Sequence, residues 1–275
     1  MLIPYPNINP VFFSILGIPI RWYGISYIAG ILFSLEFSKK IMKTNPFIMS
    51  EEKVDELYIY GFWGVLLGGR IGYILFYDLY NYTNNPIGII KIWHGGMSSH
   101  CGFIGVTIAI CYFSIKNNFK ILSISDRILV SVPVGLGLGR LANFVNQELI
   151  GRIASEDALF KIIYPNYGLP ARYPSELFEA FGEGLFLFII MFSIFKFHYI
   201  RIRRGVLTGV FLFAYGLVRV ICENFRQPDS QVGFLYDGIT MGQILSVPLC
   251  LTGLTIIAIS TIKHNQSTLK VMDKL

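Results

Sequence analysis

The chain has 275 residues, of which 53% are hydrophobic and only 15% charged. Soluble domains carry about 25% charged residues, so a mean hydropathy of +0.56 excludes a soluble domain with one anchor and leaves a polytopic, all-α membrane protein. The formal net charge of +6 does not call for a nucleic-acid partner, because the basic residues sort by loop along the chain.

The opening stretch, MLIPYPNINPVFFSILGIPIRWYG, lacks the basic n-region and small-residue cleavage site of a signal peptide, and is expected to be retained. Apolar stretches of spanning length follow at about 22–38, 58–77, 101–115, 128–147, 177–197, 205–222 and 240–262. Alternate loops then divide the charge. One side carries Lys39, Lys40, Lys43, Lys53, Lys116, Lys120, Arg127, Lys196, Arg201, Arg203, Arg204, Lys263, Lys270 and Lys274, and the other only Arg21, Lys91, Arg152, Lys161, Arg172 and Arg226. The positive-inside rule puts the richer side in the cytoplasm. The expected topology is about seven spans with the N-terminus outside and the C-terminus inside. Residues 1–275 form a single membrane domain with a small extracytoplasmic head, and residues 263–275 are expected as a loose cytoplasmic tail.

Polar residues gather toward the outer side. The first cluster, IRWYGISY, holds Arg21 and Tyr23, which alone reads as an interfacial aromatic belt. Arg70 in LLGGRIGY lies within a span and is expected to pair with an acidic residue such as Glu148 or Glu223, in a supporting role. In KIWHGGMSSHCGFIG, His94 and His100 flank a Gly-Gly turn that opens an apolar run, an arrangement suited to a positioned base. Cys101 beside His100 invites a Cys/His nucleophile, but reads better as a packing residue. The four cysteines, Cys101, Cys111, Cys222 and Cys250, have neither disulfide nor zinc spacing.

The densest polar stretch is GRLANFVNQELIGR, directly after the uncharged run ILVSVPVGLGL. An unpaired arginine in hydrocarbon costs roughly 2.5 kcal/mol or more, so it marks a functional site. On a helix, Arg140, Asn143 and Gln147 share a face with Asn146 beside them. Gly135 and Gly137 look like a phosphate loop but, within a span, are read as helix-packing residues. In YGLVRVICENFRQPD, Tyr215, Arg219, Glu223 and Arg226 form a second stripe. Arg219 and Glu223 have the weaker order for an i,i+4 pair, and such a pair alone leaves the other members unexplained. Two arginines from different spans suit a phosphate clamp, since guanidinium matches phosphate oxygens bidentately. The phosphate at hand there is that of a lipid headgroup, with a histidine nearby as general base.

At these residues the chain resembles the bacterial prolipoprotein diacylglyceryl transferases. GRLANFVNQELIGR is similar to the family signature G-R-x-x-N-F-x-N-x-E-x-x-G, which ends here at Gly151. HGGMSSHCG resembles G-G-M-S-F-H-G-G, and RWYG, GGRIGY, RYPSELFEA, RVICENFRQPD and MGQILSVP also correspond, from about residue 10 to residue 262. Ser99 stands where the family usually has Phe, Cys101 where it has Gly, and Glu176 and Phe178 where it has Gln and Tyr. The resemblance implies transfer of diacylglycerol from phosphatidylglycerol to the lipobox cysteine of a prolipoprotein signal peptide, in the bacterial inner membrane. Glycerol 1-phosphate is the other product, and neither metal nor cofactor is called for. His100 would be the base, and Arg140 and Arg219 would stabilise the leaving group. Tyr23, Asn143, Asn146 and Tyr215 would hold the headgroup, with Glu148, Gly151, Glu223 and Arg226 completing the site. Two rival readings are a transporter or binding protein for phospholipid or another anionic solute, and an acyltransferase using Cys101 covalently.

Overall fold

The computed structural model describes residues 2–15, 17–91, 95–228, 233–236 and 238–272. They form two compact units, Lys39–Ile124 and the remainder, Met1–Ser38 with Ser125–Leu275.

In the larger unit, strand β1 (Leu2–Ile3) precedes an antiparallel hairpin of β2 (Val11–Ile15) and β3 (Ile18–Arg21), which runs straight into helix α1 (Trp22–Met42). The smaller unit is built on α2 (Glu51–Tyr77), whose N-cap Ser50 is followed by Glu51 and Glu52, charges that suit a helix N-terminus. A short α3 (Leu79–Asn84) and a 3₁₀ turn (Pro86–Ile90) lead to α4 (Ser99–Lys116), capped by the Ser98 hydroxyl, which accepts from the Cys101 amide at 3.4 Å. Small residues let α2 and α4 touch backbone to backbone. A Cβ built on Gly64 would stand 2.7 Å from the Gly105 carbonyl, and one on Gly68 would stand 2.5 Å from the Cys101 carbonyl.

Helix α5 (Ile121–Asn146) enters the larger unit, where Gly30 of α1 meets Gly135 so closely that a Cβ would lie 2.9 Å from the Gly135 Cα. The buried Ser34 and Ser131 hydroxyls join the same two helices at 2.6 Å. Gly135 and Gly137 are packing glycines, as their place in a span implies. After α5 the chain forms an irregular segment, where β4 (Lys161–Ile162) pairs parallel with β1. Phe144, Ile150, Ile162 and Tyr164 form its core, with Ile3, Tyr5 and Leu177 packed against them. Burial raises the pKa of the Tyr5 and Tyr164 phenols. Both hydroxyls are satisfied as donors, Tyr5 to the Phe144 and Val145 carbonyls at 3.0 Å and Tyr164 to Glu176 Oε2 at 2.8 Å.

The chain returns through α6 (Ser175–Glu179), a π-helical segment (Ala180–Phe186) and α7 (Leu187–Phe195). A short α8 (His198–Arg201) precedes α9 (Val206–Cys222). Gly205, with φ 97°, has no side chain to cap α9, so Asp126 of α5 does it. Its carboxylate accepts from the Gly205 amide at 2.6 Å and from the Thr208 amide and hydroxyl at 2.7 Å. Strands β5 (Phe234–Tyr236) and β6 (Ile239–Thr240) then feed α10 (Met241–Met272). Helix α10 continues to Met272, over residues such as Lys263 and Gln266 that favour helix and with no glycine or proline to interrupt its last turns.

Each expected apolar stretch lies largely or wholly in helical structure. Four helices, Glu51–Tyr77, Ile121–Asn146, Ser175–Phe195 and Met241–Gln266, are long and apolar enough to cross a membrane. His100–Lys116 and Val206–Cys222 are apolar but shorter. Large apolar side chains face outward along them, including Phe62, Phe76, Phe103 and Ile115, as expected where the solvent is lipid.

Candidate active site

The centre of the larger unit is an ionic array on the α5, π-helical and α9 segments. Arg140 directs Nε and Nη2 at Oε2 of Glu183, both at 3.0 Å, and Nη1 stands 2.9 Å from Oε2 of Glu179. Arg219 places Nη1 3.0 Å from Oε1 of Glu179 and 3.0 Å from Oε1 of Glu183. Each carboxylate therefore gives one oxygen to each arginine, which makes the pair one bridged unit. Arg219 Nη2 also donates to Glu223, and Arg226 Nη1 reaches Glu179 Oε1 at 3.5 Å. The Glu179 and Glu183 side chains are fully buried, while Arg140 and Arg219 keep 16% and 12% of theirs exposed. Buried charges are tolerated only when paired and hydrogen-bonded; here each carboxylate accepts at least one hydrogen bond from an arginine, while Glu179 Oε2 meets Arg140 as an ion pair without one. A guanidinium has five N–H donors, so three contacts apiece leave Arg140 and Arg219 each two N–H groups without an acceptor among the described residues.

Arg140 is held by Glu179 and Glu183, two acids not singled out from the sequence, while the i,i+4 contact of Arg219 with Glu223 is present. Glu148 accepts from the Asn143 and Asn146 amides, both at 3.3 Å, fixing the end of α5. Gln147 leaves the expected helix face. With φ 56° it lies past the helix end, and its Oε1 accepts from the Asn166 amide at 2.8 Å. Tyr215, half-buried, lies in the field of Arg140, Arg219, Glu179 and Glu183. Tyr23 shares a 3.3 Å hydroxyl contact with Tyr27 and lies within electrostatic reach of Arg140 and Glu148.

Gly151 has a steric reason to be glycine. It runs between two other segments, and a Cβ there would stand 2.1 Å from the Tyr173 carbonyl and 2.9 Å from that of Phe225. Its bridge to Arg226 is reinforced by Arg152, which donates to the Arg226 and Glu223 carbonyls at 2.9 Å. Glu223 is also steadied by the Thr240 hydroxyl at 2.9 Å. Of the two departures at 176 and 178, Glu176 accepts from Tyr164, and Phe178 packs edge-on to Phe225 at 5.3 Å between centroids.

In the smaller unit, His100 is exposed on the first turn of α4, and His94 lies outside the described residues. The Gly-Gly turn before it is a true turn, with φ 84° at Gly95 and 79° at Gly96, values that favour glycine. Arg70 holds this turn from α2. It donates to the carbonyls of Gly88 (2.6 Å), Ile89 (2.9 Å), Lys91 (3.4 Å), Gly95 (2.6 Å) and Gly96 (3.0 Å), which corrects the expected acidic partner. A guanidinium surrounded by carbonyl oxygens uses all its donors without a counter-ion. The supporting role stands. Cys101 faces α2, where a Cβ on Gly72 would lie 2.2 Å from its sulfur. Among the described residues no three His, Cys, Asp or Glu side chains group as a metal site needs.

Sequence reasoning passed over Glu179 and Glu183. A usable signal was present, because Glu176, Glu179 and Glu183 recur at helical spacing in the otherwise apolar ELFEAFGEGLFLFII. The rule that singled out the arginines applies equally to buried acids.

Residues 10–259 match the family model described as prolipoprotein diacylglyceryl transferase. A phosphatidylglycerol–prolipoprotein diacylglyceryl transferase of Gluconobacter oxydans (strain 621H) is 45% identical over 250 residues, covering 91% of this chain and 92% of that protein. The enzyme of the same name from Rickettsia bellii (strain OSU 85-389) is 45% identical over 92% of this chain and 95% of its own length. That of Paramagnetospirillum magneticum (strain ATCC 700264 / AMB-1) is 44% identical over 92% and 94%. With a family match across nearly its whole length and relatives this similar, the chain belongs to the prolipoprotein diacylglyceryl transferase family.

Proposed function

We propose that this protein transfers the diacylglyceryl group of phosphatidylglycerol to the lipobox cysteine of prolipoproteins, the first step of lipoprotein maturation. The observation that carries the reading is the pair of guanidiniums, Arg140 and Arg219, bridged by two shared carboxylates within an apolar helical unit and each keeping N–H donors to spare. Together with family membership, it favours transfer over the transporter reading.

A free thiol is only a few per cent thiolate at neutral pH, so a base that takes its proton helps by about 10²–10⁴ in rate. His100 is that base. The sulfur attacks the glyceryl carbon bonded to the phosphate oxygen, a C–S bond forms and the C–O bond breaks. The electron pair leaves with oxygen as glycerol 1-phosphate, while the thiol proton stays on the base. Negative charge grows on the leaving phosphate, and the spare N–H groups of Arg140 and Arg219 are preorganised for it. Tyr23, Asn143, Asn146 and Tyr215 hold the headgroup. Glu148, Glu223 and Arg226 orient the arginines and the chain around them, and Gly151 permits the close backbone packing there. The charge distribution supports seven spans, N-terminus outside and C-terminus inside, in the bacterial inner membrane with the site toward the extracytoplasmic face.

The test is direct. Purified protein, phosphatidylglycerol vesicles and a lipobox peptide should yield glycerol 1-phosphate and a thioether-modified peptide in equal amounts. Lipid scrambling with no peptide product would return the transporter reading. A lipid adduct on the enzyme itself would return the Cys101 acyltransferase.

A further inference from the structure

We propose that Glu179 and Glu183 set the charge of the site so that it accepts a monoanionic phosphodiester and turns away the dianionic phosphomonoester left by the reaction. The proposal rests on the headgroup-phosphate reading given above. The array holds three guanidiniums, Arg140, Arg219 and Arg226, against three carboxylates, Glu179, Glu183 and Glu223. The next charged residues outward, Arg152 and Glu148, add one of each sign. The site is therefore electroneutral before any ligand enters, unlike a phosphate site built on unopposed arginines.

That neutrality has a consequence for the reaction. The lipid phosphodiester carries one negative charge. Cleavage of its C–O bond leaves a monoester, which carries about −1.5 to −2 near pH 7 because its second pKa is about 6. An electroneutral site of low dielectric tolerates the first charge far better than the second. The N–H donors still act locally on the oxygen where charge develops, while the carboxylates behind them limit how tightly the finished dianion is held. Binding product no more tightly than substrate keeps release from limiting turnover. The bridging geometry fits this role. Each acid is fully buried and touches both arginines, so neither can be screened by water or lost without unbalancing the pair.

Removing one carboxylate charge from a partly buried site should shift the balance between a dianion and a monoanion by about tenfold to a hundredfold, taking an effective dielectric near 20 and a separation of several ångströms. The probes are glycerol 1-phosphate and glycerophosphoglycerol, the water-soluble monoanionic diester. Each is titrated against purified full-length protein in detergent micelles and scored as an inhibitor of transfer. In the wild type the diester should bind at least as well as the monoester. In Glu179→Gln and in Glu183→Gln the ratio should move at least about tenfold toward the monoester, with kcat falling as product leaves more slowly and KM for lipid falling rather than rising, since the monoanion gains too. Glu179→Gln/Arg226→Gln, which restores neutrality, should move the ratio back.

A purely structural role would lower activity or abundance without this inversion. The wild type alone supplies a further arm needing no variant. Between pH 5.5 and 7.5 the monoester gains its second charge, and its affinity relative to the diester should fall. A relative affinity that rises with pH, or a ratio unchanged in both glutamine variants while both probes bind, overturns the proposal. If neither probe binds the wild type, the headgroup-phosphate reading itself fails and takes the proposal with it.

Discussion

Replacing Arg140 by lysine separates a phosphate clamp from a helix tether. The guanidinium makes three contacts, two at 3.0 Å with Glu183 and one of 2.9 Å with Glu179. An ammonium on the same stem is a point charge. It reaches one of the two carboxylates and does not span both. Hydrogen bonds to charged groups contribute about 1.5–3 kcal/mol each, so losing the Nε bond to Glu183 weakens the array by about that much before relaxation. The positive charge remains, so no carboxylate is left wholly uncompensated and the protein should still insert. Arg140→Ala instead strands a buried charge, a loss of about 3–5 kcal/mol, and should lower abundance. Losing one preorganised donor to a developing oxyanion costs about 10²–10³ in kcat. Arg140→Lys should therefore lose about a hundredfold or more in kcat, and KM should change less, because interactions made mainly in the transition state act on kcat. The assay is glycerol 1-phosphate release at matched membrane abundance, run beside Arg219→Lys. Near-normal turnover in both, with only a lowered melting midpoint, would reduce the array to a helix tether and refute the clamp.

Cys101→Gly should keep turnover within about twofold, since the sulfur fills space beside Gly72. Gly72→Ala, whose Cβ would lie 2.0 Å from the Cys101 Cβ, should fold poorly unless combined with Cys101→Gly. Loss of activity in Cys101→Gly as deep as in His100→Ala would revive covalent catalysis. Asp126→Ala should lower stability by about 1–2 kcal/mol through loss of the α9 cap, read as the melting midpoint in detergent, with Asp126→Asn milder. An unchanged midpoint in Asp126→Ala would show that the cap is redundant. For topology, single cysteines at Asn84 and Asn166 should react with an impermeant thiol reagent outside intact cells and one at Lys120 should not. Labelling of Lys120 breaks the proposed orientation.

Much of this was legible because lipid imposes a one-dimensional code. Apolar length located the helices, and the rule that a charge in a span needs a reason singled out Arg140 and Arg219. The same physics identified Gly135, Gly137 and Cys101 as packing residues. What the chain did not disclose was pairing at long range. Arg140 finds Glu183 across 43 positions and Arg219 finds Glu179 across 40, whereas local rules see only i,i+3 and i,i+4 neighbours. Glu148 and Glu223 were the acids near the arginines in sequence, and only Glu223 proved to bond one. Arg70 was misread for a related reason. Carbonyl oxygens of a tight turn serve as its acceptors, and they have no signature in side-chain types.

The missed acids and the glycines around them form one local device. In Gly182-Glu183-Gly184 each glycine permits one close approach. A Cβ on Gly182 would press 2.7 Å from Val218 Cγ1, beside Arg219, and one on Gly184 would stand 2.6 Å from the Gly137 Cα, three residues before Arg140. The π-helical turn (Ala180–Phe186) thus brings Glu183 against α5 on one side and α9 on the other. The 3.0 Å contacts to both arginines require that closeness, because a side chain at either glycine would force α5 or α9 outward. In a solvent that gives helices little hydrophobic reason to associate, close packing and polar contacts must hold them. Here the residues without side chains set the distance at which the charged ones meet, and that distance keeps two buried carboxylates and two partly exposed guanidiniums compensated within an apolar helical unit.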